Sequence, residues 1–141
     1  ILTKFDEGAI RQAIINLLSN AVKYSQNSQT SQVEVELKND SSEIIIEVKD
    51  FGIGISKEDL RDIFLPFHRS KNDDIQAKGG TGLGLAIVRE IARGHGGDIS
   101  VESEVGKGSV FRLHLPILAE IKQEELELKE DGAYFGYRRR A

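Results

Sequence analysis

Three groups of residues could carry chemistry by their type and spacing. Asn16, Asn20 and Lys23 stand at i, i+4 and i+7, which on a helix is one stripe, and Tyr24 adjoins Asn20 at i+4. Two amides and an amine along one edge suit phosphate oxygens and a hydrated Mg²⁺, a cation that keeps most of its waters and takes few protein ligands. Taken alone, the stripe reads more simply as a solvated polar face. Asp50-Phe51-Gly52-Ile53-Gly54-Ile55 follows directly on an apolar alternation. Its glycines allow a flat ligand to approach the backbone closely, and Asp50 offers an acceptor for an exocyclic amine such as adenine's. Alone, this is also an ordinary glycine turn. Gly79-Gly80-Thr81-Gly82-Leu83-Gly84 leads straight into a helical pattern. Free N–H groups at a helix N-terminus fronted by glycines form a phosphate cradle. Four glycines in six residues against a helix make a flexible linker the weaker reading. The run matches neither a P-loop nor a dinucleotide fingerprint.

Arg69, Lys71 and Lys78 precede that cradle, and any of them could swing onto a terminal phosphate. Each, taken singly, is an ordinary solvated loop charge. His68, His95 and His114 show no metal spacing and no pairing with a nucleophile, so they read as structural or surface residues. Ser109 follows Gly108 at a strand start, where turn chemistry accounts for it.

These groups need elements to position them. Ile10, Ile14, Leu17, Leu18 and Ala21 recur at helical spacing between about Phe5 and Tyr24, with Asp6 as cap. Val33, Val35 and Leu37, then Ile44, Ile46 and Val48, alternate with polar residues around Asn39-Asp40-Ser41-Ser42, the pattern of an antiparallel hairpin. Ser56 caps a short helix with Glu58 and Asp59 in its first turn, and Pro66 marks its exit. His68 to Gly82 reads as a long loop. Leu83 to Arg93 forms a helix with Ile87, Val88 and Ile91 on one side and Gly94 as its stop. Asp98 to Glu104 and Ser109 to Leu115 form a second hairpin, closed by Pro116. Strands polar on one face and helices apolar on one side imply a two-layer sandwich. There is no internal repeat.

Composition sets the outer bounds. The chain has 141 residues, 39% hydrophobic and 30% charged, with a net charge of -4. That fits one globular domain and disfavours a broadly basic nucleic-acid surface. There is no apolar run of membrane-spanning length and no signal peptide. With no Cys there is no disulfide, no thiolate nucleophile and no Cys-based zinc site. With no Met, the chain reads as a piece of something longer. Residues 120–131 hold six acids and two lysines, while 132–141 hold three arginines and no acid. The expected division is therefore a domain over 1–118 and a charged tail over 119–141, a linker or a docking segment.

Taken together, Asn16 to Tyr24, Asp50 to Ile55, Ile63-Phe64-Leu65-Pro66-Phe67-His68-Arg69, Gly79 to Ile87 and Gly106 to Phe111 resemble, in order and spacing, the N, G1, F and G2 boxes and closing strands of sensor histidine kinase ATP-binding domains. The resemblance covers about residues 1–117. It implies an α/β (α+β) two-layer sandwich of Bergerat type, with a mixed, largely antiparallel sheet covered on one face by helices. It also implies ATP and Mg²⁺ as cofactors. Asn20 would ligate the metal, with Asn16 supporting the metal–phosphate site and Lys23 on phosphate. Tyr24 would flank the nucleotide. Asp50 would accept from the adenine amine, with Gly52, Gly54 and Ile55 shaping that pocket and Ser109 near the base. Phe64 and Phe67 would anchor a lid over about Pro66 to Thr81. Lys78, Gly80, Thr81, Gly82, Leu83 and Gly84 would meet the phosphates, and Arg69 would act during transfer.

Relatives that hydrolyse ATP or phosphorylate serine carry a Glu four residues before the metal Asn. Here that position is Asn16, whose amide cannot take a proton at neutral pH. The resemblance therefore implies phosphoryl transfer to a histidine on a separate dimerisation domain, and a response regulator receiver domain downstream, in the cytoplasm, with no membrane contact by these residues. A gyrase-like ATPase and a non-catalytic nucleotide-binding module are the alternatives.

Overall fold

The computed structural model of the chain describes residues 4–25, 31–70 and 82–117. Their elements run α1 (Glu7–Ser25), β1 (Val33–Asn39), β2 (Glu43–Asp50), α2 (Lys57–Leu60), α3 (Gly84–Gly94), β3 (Asp98–Glu104) and β4 (Gly108–Pro116). The strands form one sheet in the order β1-β2-β4-β3. Every pairing among the described residues is antiparallel, as the expected largely antiparallel sheet requires.

α1 starts where Asp6 Oδ1 accepts from the Ala9 N–H at 3.0 Å, satisfying one of the amides that a helix start leaves unpaired. Ile10, Ala13, Leu17 and Ala21 are its buried face. The β1–β2 turn is closed by Asp40, whose Oδ1 accepts from the amides of Ser42 at 2.6 Å and Glu43 at 2.9 Å. Ser56 caps α2 as expected, accepting from Asp59 N–H at 3.2 Å.

α3 differs in detail from expectation. Val88 and Ala92 are its fully buried residues, while Ile87 is 37% exposed. Gly94 remains inside the helix, and the left-handed turn is made two residues later by Gly96, at φ +77°. A glycine stops a helix only where its positive φ is used. His95 then joins the two long helices. Its Nδ1 donates to Ile91 O at 2.7 Å, so Nε2 is left to accept the Asp6 N–H at 3.0 Å.

The sheet has one apolar and one charged face. Val48, Phe111, Leu113, Leu115 and Ile99 pack against α1 and α3. On the opposite face Arg112 Nε donates to Glu47 Oε2 at 2.7 Å, and Lys38 Nζ reaches the same oxygen at 3.2 Å. His114 lies on this face too, between Ser100 Oγ at 2.9 Å and Glu43 Oε2 at 3.2 Å, a structural position.

Candidate functional site

A cleft of about 300 Å³ lies between α1, the ends of β2 and β4, and the start of α3. α1 contributes Asn16, Ser19, Asn20, Lys23 and Tyr24; β2 ends in it at Asp50. Gly54, Ile55, Arg69, Gly82, Gly84 and Ser109 also line it. Residues from five separate stretches of sequence are thus brought to one cavity.

At one end Asp50 is 5% exposed. Its Oδ1 accepts from Gly52 N–H at 2.9 Å, and the Ser109 N–H also bonds the carboxylate. Burial pushes its pKa above the ordinary carboxylate value, and the two backbone donors pull against that shift. Gly52 is required by close approach: a Cβ there would stand 2.1 Å from Tyr24 O, the point where α1 meets the end of β2. Gly54 adopts φ +72°, and a Cβ would stand 2.2 Å from Glu104 O. Ser103 Oγ gives its one proton to Gly108 O at 2.9 Å. It therefore accepts from both Ile55 N–H and the Ser109 hydroxyl, each at 2.8 Å. Ser103, on β3 behind the cleft wall, is a positioning residue that the sequence did not single out.

At the other end the two asparagines separate. Asn16 Oδ1 accepts from Gln12 Nε2 at 2.9 Å, and its Nδ2 donates to Gly84 O at 3.2 Å. It pins α1 to the start of α3. Among the described residues no hydrogen bond engages the Asn20 side chain on the cleft wall. No cluster of His, Asp or Glu among the described residues could hold a bare metal ion. One uncommitted amide does fit Mg²⁺, which retains its waters and needs few protein oxygens. Lys23 and Arg69 bring two cations to the same cavity. Burial first, then the Arg69 charge, lowers the Lys23 pKa. Burial raises the Tyr24 pKa, opposed by Arg69. Lys23 Nζ sits 5.2 Å from the Tyr24 ring centroid.

α3 begins at Leu83 without a side-chain cap, and Gly84 in its first turn lines the cleft. Gly82 takes φ +74°, and a Cβ there would stand 2.6 Å from His68 O. The Gly82 carbonyl accepts the Phe67 N–H at 3.0 Å. That bond clasps the two ends of the segment between them. Phe64 packs edge-on to Phe111 with centroids 6.4 Å apart, as an anchor should. Phe67 does not anchor through its ring: its side chain is 72% exposed, φ is +63°, and its backbone makes the clasp.

Lys78, Gly80 and Thr81 lie outside the described residues, as do Lys71, Gly79 and most of the expected lid. Asp59 and His68 are among the cleft residues that had no role assigned from sequence. Asp59 was visible only as a helix-start acid, yet it receives the Ser70 hydroxyl and faces His68 Nε2 at 3.5 Å. His68 lines the cleft rather than the outer surface. No helix among the described residues is long and apolar enough to cross a membrane.

Residues 5–119 match the family described as histidine kinase-, DNA gyrase B-, and HSP90-like ATPase. The chain is 44% identical over 111 residues to the sensor-like histidine kinase SenX3 of Mycolicibacterium smegmatis, covering 79% of this chain and 28% of that protein. It is 38% identical over 116 residues to the sensor histidine kinase WalK of Bacillus subtilis, covering 82% and 19%. It is 43% identical over 119 residues to the aerobic respiration control sensor protein ArcB of Escherichia coli, covering 82% and 15%. The chain thus spans less than a third of each of these relatives.

Proposed function

The chain belongs to the histidine kinase-, DNA gyrase B- and HSP90-like ATPase family, and from that premise we propose that it is the catalytic domain of a sensor histidine kinase, binding Mg-ATP between α1, β2 and α3. The observation that carries this reading is one cleft with a buried acceptor, Asp50, at one end and Asn20, Lys23 and Arg69 at the other.

Adenine would sit against Gly52, Gly54 and Ile55, its amine donating to the Asp50 carboxylate. The triphosphate would run toward Lys23, Arg69 and the first-turn amides of α3, with Lys78, Gly80 and Thr81 joining from outside the described residues. Asn20 would hold Mg²⁺, which when bound neutralises phosphate charge and orients the chain of phosphates. The protein's own contribution is alignment and charge stabilisation, since phosphoryl transfer asks for little covalent chemistry. Arg69 would stabilise charge developing on the transferred group.

Transfer to histidine, rather than to water, is supported by Asn16. It occupies the position from which a Glu would act as general base, and both ends of its amide are held by Gln12 and Gly84. Asp59, a second carboxylate lining the cleft, already accepts from the Ser70 hydroxyl. An imidazole nitrogen needs no such base. It attacks the γ-phosphorus as the bond to the ADP oxygen breaks. The acceptor would lie on a separate dimerisation domain, in the cytoplasm, with a response regulator receiving the group afterwards.

Radiolabelled ATP tests this. The chain alone should hydrolyse ATP very slowly and should not label itself. Added dimerisation domain from the same parent should become labelled on histidine, as an acid-labile phosphoramidate. Arg69→Ala should depress transfer more than binding. Brisk hydrolysis, or label on a serine of this chain, would favour the gyrase-like reading. ATP binding with no transfer to the acceptor domain would favour a non-catalytic module.

A further inference from the structure

Lys23 rises from α1, but Arg69 stands in a stretch, 68–70, that is neither helix nor strand. A loop charge that only its ligand could order would lose affinity to that ordering. This one has partners on either side.

α2 is a single turn with no buried residue, so core packing alone does not account for it. Ser56 Oγ accepts from the Asp59 N–H at 3.2 Å, which fixes the Asp59 backbone and leaves its carboxylate to reach forward. Oδ2 accepts from the Ser70 hydroxyl, eleven positions on. Ser70 is 6% exposed, so that hydroxyl has little water to turn to. Oδ1 faces His68 Nε2 at 3.5 Å. This nitrogen is enclosed and makes no hydrogen bond among the described residues, and a shift of about 0.5 Å toward Oδ1 would give it one. The backbone just before is held too. Phe67 N–H donates to Gly82 O at 3.0 Å, and His68 N–H donates to Leu65 O at 3.2 Å.

One carboxylate thus addresses the residues on both sides of Arg69. After burial, the Arg69 charge is the next influence on both Lys23 and Tyr24, so the guanidinium stands within reach of α1 across the cleft. We propose that Asp59 is a positioning residue for Arg69, fixing through Ser70 and His68 the backbone from which the guanidinium meets the terminal phosphate. The consequence for transfer rests on the kinase reading, whereas the geometry does not. A fixed backbone leaves only the side-chain torsions of Arg69 to search, which favours alignment during transfer over ground-state affinity.

Nitrogen relaxation of the nucleotide-free full chain tests the geometry. The Arg69 backbone amide should have an order parameter of about 0.85 in wild type and below about 0.6 in Asp59→Ala. The β2 amides should be unchanged in both, as a check on the fold. Ser70→Ala leaves the Ser56 cap in place, so it should loosen Arg69 even where Asp59→Ala does not fold. Equal order at Arg69 in wild type and variants would overturn the proposal.

Labelling of the added dimerisation domain tests the consequence. Asp59→Ala should slow transfer about tenfold at saturating ATP with KM within about twofold, and should add nothing in an Arg69→Ala background. Asp59→Asn keeps an oxygen for the Ser70 hydroxyl and should retain most of the rate. A loss that multiplies with that of Arg69→Ala, or that falls on KM alone, would make Asp59 a structural residue of α2 and sink the proposal. If Arg69→Ala left transfer unchanged, the role given to Arg69 in the kinase reading would fall, and the order at Arg69 would still decide whether Asp59 holds it.

Discussion

Around Asp50 the cleft wall is closed on itself: the carboxylate accepts from Gly52 and Ser109, Ser103 gathers Ile55 and Ser109, and glycines stand where no Cβ fits. Around Asn20 the wall is built of side chains on flexible stems, with one amide that no hydrogen bond engages among the described residues. One end is shaped before a ligand arrives, and the other offers groups that a ligand must organise. Base recognition should therefore tolerate little change, whereas phosphate recognition should depend on ions and on conformation.

The largest effect should come from Gly52→Ala. A Cβ 2.1 Å from Tyr24 O must push the end of α1 off the end of β2. We expect a loss of about 3 kcal/mol in chemical denaturation, with ATP binding lost alongside. Gly84→Ala is the control, since nothing lies within 4 Å of a Cβ there, and its stability should stay close to wild type. Equal stabilities for the two variants would mean that the Asp50 end is no more rigid than the other.

Asp50→Asn comes next. It replaces an acceptor with a group that can present a donor to the adenine amine, inside a buried site. The expected cost is about 1–3 kcal/mol of ATP binding by calorimetry. Unchanged affinity would place the base elsewhere.

The asparagine pair sharpens the contrast at smaller scale. Asn20→Ala should weaken Mg-ATP about tenfold, or about 1.4 kcal/mol, while leaving metal-free nucleotide nearly unaffected. Asn16→Ala should act on stability instead. Losing the bonds to Gln12 and Gly84 should cost about 1 kcal/mol of stability with the Mg²⁺ dependence intact. Matching Mg²⁺ responses would show that the two amides share one role.

The sequence makes this division partly legible. Among the described residues, period-two and helical spacings foretell the four strands and the two long helices, because burial on one face imposes them. The spacing of Asn16, Asn20 and Lys23 foretells a shared stripe. It cannot reveal that Asn16 spends its amide on Gly84, since that bond joins residues 68 positions apart. Ser103 is hidden for a similar reason: it reaches Ile55 across 48 positions and has no motif of its own. Phe67 is misleading in another way. An aromatic residue before a loop suggests an apolar anchor, and only the fold reveals a left-handed backbone bonded to Gly82. Local patterns carry faces and caps, while roles fixed by distant partners await the tertiary structure.

The smallest effect, and the one most specific to the closed end, is a pair of opposing pH slopes. Burial raises the Asp50 pKa above its ordinary value of 3.8. The folded state then holds the proton at a pH where the unfolded state has released it. Asp50 therefore favours folding more as pH falls through its raised pKa toward 3.8, and less as pH rises. Adenine binding runs the other way, because the amine needs the ionised acceptor. ATP affinity should fall over the same window, from the raised pKa downward, as the carboxyl protonates. Calorimetric titrations and denaturation curves at stepped pH would reveal both slopes, and Asp50→Asn should flatten both. If affinity weakened on acidification equally in Asp50→Asn, the titrating group would belong to the nucleotide's phosphates or to the opposite end of the cleft, and the closed end would have no part in it.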